Sequence, residues 1–187
     1  NDATENAIHG FGSNSPTFVE GVAAGSKAVK FNRTNNSSFV VAKPIIDSRD
    51  MTISFWGKDF GDGNIFYMVS SHAKSGTFMH PTLTDGKWHH VALTSDFNKT
   101  TYATITTNLY VDGQLVDVVT EDANPFSEAE SSGNSYGSGT KFIMGGSIKL
   151  SNSNTLNGTN MAVDNFRVYD TRRLSAAEIK SIYDAKQ

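Results

Sequence analysis

Two adjacent histidines, His89 and His90, are of a residue type that could support metal binding or acid–base catalysis. Imidazole nitrogens are common metal ligands and titrate near neutral pH. However, neighbouring residues of a β-strand point to opposite faces, so the pair cannot hold one ion without distortion. We therefore interpret both as packing and hydrogen-bonding residues. His72, in or near a predicted loop, is retained as a candidate ligand contact.

Carboxylates form the second group that could do chemistry, and their spacing argues against catalysis. Glycoside hydrolysis needs two carboxyl groups that reach one bond from a shared face. The glutamates are few, and no predicted strand carries such a pair. Glu128 and Glu130 lie in a Ser- and Gly-rich segment, where we expect them to be solvated. The sequence also lacks a nucleophile elbow, a His-Glu-x-x-His helix and a phosphate-binding glycine loop. We therefore expect no enzymatic activity.

Aromatic rings are the third group, because a flat apolar ring complements the C–H face of a sugar. Trp56 shares a predicted strand face with Thr52 and Ser54, which leaves packing and ligand contact equally open. Trp88 is expected in the core. The Arg167 guanidinium could donate paired hydrogen bonds to vicinal hydroxyls or a carboxylate, with a salt bridge as the alternative. The predicted ligand-binding residues are Trp56, Tyr67, His72, Tyr136 and Arg167.

Composition excludes several classes of partner. The formal net charge is -3 and no basic cluster occurs, so we expect no nucleic-acid binding. No apolar run is long enough for membrane insertion. There is no cysteine, and Asn, Ser and Thr are abundant, which favours a bacterial surface protein. We expect an extracellular protein, secreted or attached to the cell surface, whose signal peptide lies upstream in a longer precursor.

Short apolar runs between turn signals supply the elements that would position these groups. Many alternate apolar with polar residues, as half-buried strands do. Asp112-Gly113 lies between two such runs and predicts a tight hairpin over residues 109–116. The remaining predicted strands are Ala28–Phe31, Phe39–Val41, Met51–Trp56, Ile65–Val69, Trp88–Leu93, Phe142–Met144 and Met161–Tyr169. The pattern predicts one all-β domain over residues 1–187, a two-sheet antiparallel β-sandwich of the jelly-roll kind.

A short helix is predicted only near the C-terminal end. Ser175 precedes Glu178 by three residues, which is the spacing of a capping box, and Leu174 and Ile179 occupy the hydrophobic-staple positions. Because about ten residues are marginal as an isolated helix, we expect it to dock on the edge of the sandwich. The segment from Glu121 to Thr140 is predicted to be a long surface loop.

Four segments together resemble the laminin-G-like domains of the concanavalin A-like superfamily, in their bacterial secreted form. The most recognisable is Asp85-Gly86-Lys87-Trp88-His89-His90-Val91-Ala92-Leu93-Thr94. The others are Thr52 to Lys58, Asn108 to Val118, and Met161 to Asp170 with the following Arg173-Leu174-Ser175. The resemblance implies the sandwich fold. It does not identify a function, because such folds have many activities.

The resemblance also implies a structural calcium ion, since similar domains often carry one near an aspartate of the closing strand. Asp164 is the matching residue. Ca²⁺ takes six to eight oxygen ligands, and Asn14 and Glu20 are candidate partners. Capping a turn or pairing with an arginine is the alternative role of Asp164. Some relatives hydrolyse glucans with a Glu-x-Asp-x-x-Glu strand, which this sequence lacks.

These observations predict a non-catalytic carbohydrate-binding module of a larger secreted or wall-anchored bacterial protein, such as a glycoside hydrolase or an adhesin. The expected partner is a glycan, bound by aromatic rings on a concave face and by polar side chains at its rim. A protein-binding adhesion module or an architectural spacer is the alternative. With no heptads and no obvious apolar patch, we expect a monomer within a multidomain chain.

Overall fold

A computed structural model describes residues 10–41, 50–61, 66–69, 81–97, 104–122, 141–145, 148–149, 155–156 and 158–186. Thirteen β-strands are described in these ranges, with a 3₁₀ turn at Pro81–Thr84 and a helix α1 at Ala176–Ala185. The strands are β1 Gly10–Ser13, β2 Thr17–Glu20, β3 Lys27–Lys30, β4 Ser38–Val41, β5 Met51–Lys58, β6 Phe66–Val69, β7 His89–Phe97, β8 Thr104–Val111, β9 Gln114–Asp122, β10 Lys141–Met144, β11 Ile148–Lys149, β12 Thr155–Leu156 and β13 Ala162–Asp170.

The strands form two main antiparallel sheets. The larger has seven strands in the order β2-β3-β13-β5-β7-β8-β9, and the smaller has four in the order β1-β4-β10-β6. β11 and β12 pair separately as a two-stranded ribbon. The predicted all-β antiparallel fold with a short C-terminal helix is confirmed. None of the helices within the described ranges is long and apolar enough to cross a membrane.

The hydrophobic core lies between the two main sheets. β5 contributes Ile53 and Phe55, which are completely buried, and the four-stranded sheet contributes Met144 from the opposite side. Alternation along β5 sends the intervening side chains to the other face. The buried members of this core are Phe31, Ile53, Phe55, Phe60, Leu83, Val91, Leu93, Leu109, Val111, Met144, Met161 and Val163.

The predicted hairpin is confirmed as the connection between β8 and β9. Both turn residues have positive φ, 51° at Asp112 and 76° at Gly113, as a two-residue type I′ turn requires. Helix α1 also passes close to this turn, because a Cβ at Gly113 would lie 3.3 Å from the backbone Cα of Lys180. Gly113 is thus needed for both the turn and the close approach of the helix.

A bulge in β13 changes which side chains share a face. The register with β5 shifts between Asp164 and Arg167, and Asn165 has a φ of 49°. In a regular strand, residues three apart point to opposite faces. The bulge instead pairs Asp164 with Trp56 and Arg167 with Ser54, and both pairs lie on the face away from the core.

Helix α1 docks on a sheet face, not on the edge of the sandwich as the sequence predicts. Ile179 of the helix and Leu174, which lies just before it, are buried. Both pack against Ala92 of β7 and Tyr110 of β8. β7 and β8 lie inside the seven-stranded sheet, so their outward side chains can be covered only from the face. The amphipathic pattern predicts which side of the helix is apolar. It does not predict which surface of the sandwich that side contacts.

The predicted loop over 121–140 begins later than expected. Glu121 and Asp122 belong to β9, where they pair with β8. The rest of that segment lies outside the described residues.

Candidate functional site

The candidate site is the outer face of the seven-stranded sheet, the face that points away from the core. Three rows of side chains cross it, each with one residue from β13, one from β5 and one from β7. The first row is Asp164, Trp56 and His90; the second is Arg167, Ser54 and Ala92; the third is Tyr169, Thr52 and Thr94. The face is therefore largely polar, with two aromatic rings.

Trp56 occupies this face but is almost completely covered, with 4% of its surface exposed. Its ring is stacked on that of Tyr183 of α1, with centroids 5.7 Å apart and planes at 25°. The His90 ring lies 5.5 Å away on the neighbouring strand. Tyr183 thus covers one face of the Trp56 indole.

Local sequence explains why the helix begins where it does. Ser175 accepts a hydrogen bond from the backbone N–H of Glu178, and the Glu178 carboxylate accepts one from the N–H of Ser175, which completes the capping box. Just before it, the N–H of Leu174 donates to Thr52 Oγ1 at 2.9 Å. Arg173 forms an ion pair with Asp96 of β7. These contacts fix the N-terminal end of α1 on β5 and β7.

Five buried side-chain polar atoms of the outer face have no hydrogen-bond partner in the described part of the chain. They are Ser54 Oγ, Thr94 Oγ1, Trp56 Nε1 and both ring nitrogens of His90. Burial lowers the pKa of His90 to about 4; nearby Asp112 opposes this shift and Arg167 adds to it. The imidazole is therefore neutral at pH 7. The face combines an aromatic ring with unpaired donors and acceptors, which is the composition of a sugar-binding surface.

His89 has a different environment from His90, because the two side chains point to opposite faces as predicted. His89 Nδ1 lies 2.8 Å from Asp112 Oδ2, and His89 Nε2 lies 2.9 Å from Asp85 Oδ1. Both ring nitrogens can donate only when the imidazole is protonated. Partial burial would lower the pKa of His89, but the hydrogen bonds to Asp85 and Asp112 outweigh it and raise the pKa.

The two aspartates around His89 hold the turns at one end of the sheet. Asp85 precedes β7, and the hydrogen bond from His89 is the main reason why the pKa of Asp85 falls to about 2. Asp112 is in the β8–β9 turn, and its second oxygen accepts from the backbone N–H of His90 at 2.9 Å. We name Asp85, His89 and Asp112 the histidine clasp. It matches the structural role predicted for His89.

Asp164 acts as a turn anchor. Its Oδ2 accepts from the N–H of Val22 at 3.0 Å and from Ser26 Oγ at 3.1 Å, and its Oδ1 accepts from the N–H of Asn165. Asn14 donates instead to the carbonyl of Asn36, and Glu20 is exposed in β2. No group of three or more acidic or histidine side chains in the described ranges is arranged to hold a metal. The calcium site stays a prediction.

The predicted ligand contacts do not all come together. Trp56 and Arg167 lie on neighbouring rows of the outer face. Tyr67 belongs to β6 of the four-stranded sheet. His72 and Tyr136 lie outside the described residues. No site that includes all five is therefore visible in the described residues.

Sequence reasoning missed three aspects of this site. Trp88, expected in the core, is only half-buried, because it precedes β7 at the end of the sheet. His90 is predicted to pack and to form hydrogen bonds, but its ring nitrogens have no partner in the described structure. Tyr183 is not among the predicted ligand contacts, although its ring is stacked on that of Trp56. The polar alternation Thr52, Ser54 in β5 and His90, Thr94 in β7 was the available signal.

Solved structures with the same fold include several binding domains. Domain 4 of an extracellular GH43 arabinanase from Geobacillus stearothermophilus, in complex with arabinotriose, is 14% identical with a TM-score of 0.59, covering 93% of this chain and 87% of that one. The binding domain of Paraclostridial mosquitocidal protein 1 is 18% identical with a TM-score of 0.59, covering 98% of this chain and 49% of that one. The binding domain of botulinum neurotoxin DC in complex with SialylT is 11% identical with a TM-score of 0.58, covering 97% and 47%.

The chain thus spans about half the length of the two toxin domains. At sequence identities this low, the similarity shows that the fold is shared and nothing more. No curated protein matches the sequence. Residues 29–180, most of the chain, match the model of the Laminin_G_3 family. The chain therefore belongs to this family of the concanavalin A-like lectin/glucanases superfamily.

Proposed function

We propose that this chain is a non-catalytic carbohydrate-binding module of a secreted or surface-anchored bacterial protein, such as a glycoside hydrolase or an adhesin. The observation that carries the proposal is the chemistry of the outer face of the seven-stranded sheet. Trp56, His90, Ser54 and Thr94 lie together there, although a face that only packs against a helix would carry apolar side chains.

This set of side chains suits a sugar. The Trp56 ring provides an apolar plane for the C–H face of a pyranose or furanose ring. Ser54 and Thr94 hydroxyls both donate and accept, and a neutral His90 imidazole has one nitrogen for each role. Arg167, half-buried on the same face, supplies a charged donor for a carboxylate or for paired hydroxyls. We expect affinities between about micromolar and millimolar for a single module.

The related structures support the proposal by analogy. One of them is an arabinanase domain in complex with arabinotriose, and another is a neurotoxin binding domain in complex with SialylT. The arabinanase is extracellular, which agrees with the localisation that we propose for this protein. Two of the three are binding domains, and the third is a single domain of an arabinanase with a bound oligosaccharide, so the analogy favours binding over catalysis.

Four of the described carboxylates have structural contacts, which supports a non-catalytic role. Glu178 is used in the capping box of α1, and Asp85 and Asp112 both bind His89. Asp164 holds the turn before β3 through Val22 and Ser26. Each of these carboxylates therefore has a structural function.

A protein-binding module is the second candidate, and one observation favours it. Strand β9 is an edge strand whose only described partner is β8. It exposes three apolar side chains, Leu115 at 53%, Val118 at 51% and Val119 at 38%. Exposed apolar residues on a sheet edge are typical of surfaces that pair with another chain.

A glycan array separates the two candidates. The wild-type domain, displayed as a tetramer so that avidity reveals weak binding, is screened with calcium and again with chelator. We expect binding to a defined glycan class, reduced at least about tenfold in Thr94→Val and unchanged in Val118→Ser, since one buried polar contact accounts for such a factor. A blank array from a folded tetramer would reject the proposal and favour the protein-binding candidate. Loss of binding only in chelator would indicate the calcium site.

A further inference from the structure

The sheet face on which α1 docks holds buried polar atoms that have no hydrogen-bond partner in the described part of the chain. Ser54 Oγ, Thr94 Oγ1, Trp56 Nε1 and both His90 nitrogens are buried without a partner in the described part of the chain. An unpaired buried polar group is unfavourable compared with the same group in water. The closed arrangement is therefore opposed at five atoms, all on the face that α1 covers.

The apolar contacts that hold α1 form a small cluster separate from the sandwich core. Leu174 and Ile179 are fully buried against the sheet, and Ile182 and Tyr183 are half-buried. The ion pair between Arg173 and Asp96 is exposed to solvent, with side-chain exposures of 40% and 47%, and such surface pairs contribute little. A helix of ten residues is also marginal on its own. The cluster beneath α1 has four buried residues and the core has twelve, so α1 can open without disturbing the core.

The two ends of the helix are attached differently. At its beginning, Thr52 Oγ1 accepts from the N–H of Leu174 and donates to the carbonyl of Arg172. At its end, Tyr183 rests on Trp56 and Lys180 lies beside Gly113. The connection to β13 is exposed and contains Thr171 with a φ of 62°. The Thr52 end can therefore act as the pivot while the Tyr183 end lifts.

We propose that α1 is a lid that opens while the sandwich stays folded, and that the face it uncovers is the glycan-binding face, centred on Trp56. The inference rests on the proposed carbohydrate-binding function. When the Tyr183 end lifts, the Trp56 ring becomes available for stacking and Ser54, His90 and Thr94 can bond to sugar hydroxyls. A bound glycan then replaces the contacts that the helix gave up.

The proposal predicts how affinity responds to the lid. If only a fraction of molecules is open, the measured affinity is reduced by that fraction. Ile179→Asp places a carboxylate in the buried contact of α1 and should hold the lid open. Ser181→Asp adds the same charge at an exposed position of the same helix and is the matched control. We expect at least about tenfold tighter binding in Ile179→Asp and no change in Ser181→Asp.

Two measurements test the lid. Hydrogen exchange of the wild-type domain should show α1 amides exchanging at least about tenfold faster than those of β5 and β7, as expected for local opening. Titration with arabinotriose and with a sialylated oligosaccharide then gives the affinities of the three proteins. Slow exchange of the β5 and β7 amides in Ile179→Asp verifies that the sandwich remains folded, and Tyr183→Ala serves as the milder release variant if it does not.

The outcomes distinguish this inference from the proposed function. Exchange of α1 as slow as that of β5 would overturn the lid, whatever the sugar results. Equal affinities in wild type and in Ile179→Asp would also overturn it while leaving carbohydrate binding intact. No binding by any of the three folded proteins, to these probes or on the array, would reject the carbohydrate function and with it the glycan face beneath the lid.

Discussion

The two faces of strand β5 have opposite chemistry although both are buried. On the inner face, Ile53 and Phe55 pack with other apolar residues between the sheets. On the outer face, Trp56 lies under α1, and Ser54 and Trp56 each have a buried polar atom with no partner in the described ranges. Burial alone therefore does not reveal the function of a residue.

The difference teaches that the two faces satisfy different requirements. The inner face needs shape complementarity, because each lost methylene leaves a cavity in a closely packed core. The outer face retains hydroxyl, indole and imidazole groups that weaken its contact with α1. Side chains that reduce stability at one place are typical of surfaces that serve binding.

The strongest test of the difference between the two faces is to replace one residue on each face with alanine. Phe55→Ala should lower the free energy of unfolding by about 3–5 kcal/mol, because the core cannot close the cavity. Trp56→Ala should cost less, since the helix above it can settle or open. Urea denaturation measures both. Equal losses would mean that the helix interface is as tightly packed as the core.

The adjacent histidines, one on each face, should change the stability of the protein in different pH ranges. The folded pKa of His89 is raised, so its stabilisation is complete below the unfolded value of 6.5 and is lost as the pH rises through the folded value. The folded pKa of His90 is about 4, so its contribution is present above 6.5 and is lost as the pH falls toward 4. NMR titration of the two imidazoles should give values on either side of 6.5.

Asp85 sets the lower pH limit of the range in which the histidine clasp is complete. The folded pKa of Asp85 is about 2 against an ordinary value of 3.8, so its contribution is lost as the pH falls below 3.8. The clasp is therefore complete between 3.8 and 6.5. A His89→Gln variant should remove the upper limit of this window, and two imidazoles that titrate together would contradict the assignment.

Two cross-strand threonines on the outer face give a matched pair. Thr94→Val should raise the free energy of unfolding by about 1 kcal/mol, because it removes a buried hydroxyl without a partner. Thr52→Val should lower it by about 1–2 kcal/mol, because Thr52 holds the backbone of Arg172 and Leu174. Both replacements keep the volume, and chemical denaturation gives the sign. Destabilisation by Thr94→Val would show that its hydroxyl has a partner.

The smallest effect is expected at the cap of the helix. Ser175→Ala removes the capping-box acceptor and should weaken α1 by about 1 kcal/mol. We expect faster hydrogen exchange in α1 and unchanged exchange in β5. Ser181→Ala, at an exposed position of the same helix, is the control. Faster exchange in both elements would mean that helix and sandwich unfold together.

Local patterns made much of the fold predictable. Asp112-Gly113 identified the hairpin, and the spacing of Ser175 and Glu178 identified the start of the helix, because backbone geometry at these positions depends on one or two residues. The surface that the helix covers, and the relative exposure of Trp56 and Trp88, depend on contacts between segments far apart in sequence. Periodicity carries no information about such contacts, so the candidate site was only partly predictable.

The central position of β13 has a consequence for synthesis of the protein. This strand lies between β3 and β5, yet it follows all other described strands in the chain. During translation, β2 and β3 therefore have no place in the seven-stranded sheet until β13 leaves the ribosome, while β5, β7, β8 and β9 can already pair in order. A nascent chain stopped before residue 162 would hold two separate pieces of that sheet, with apolar surface open to chaperones.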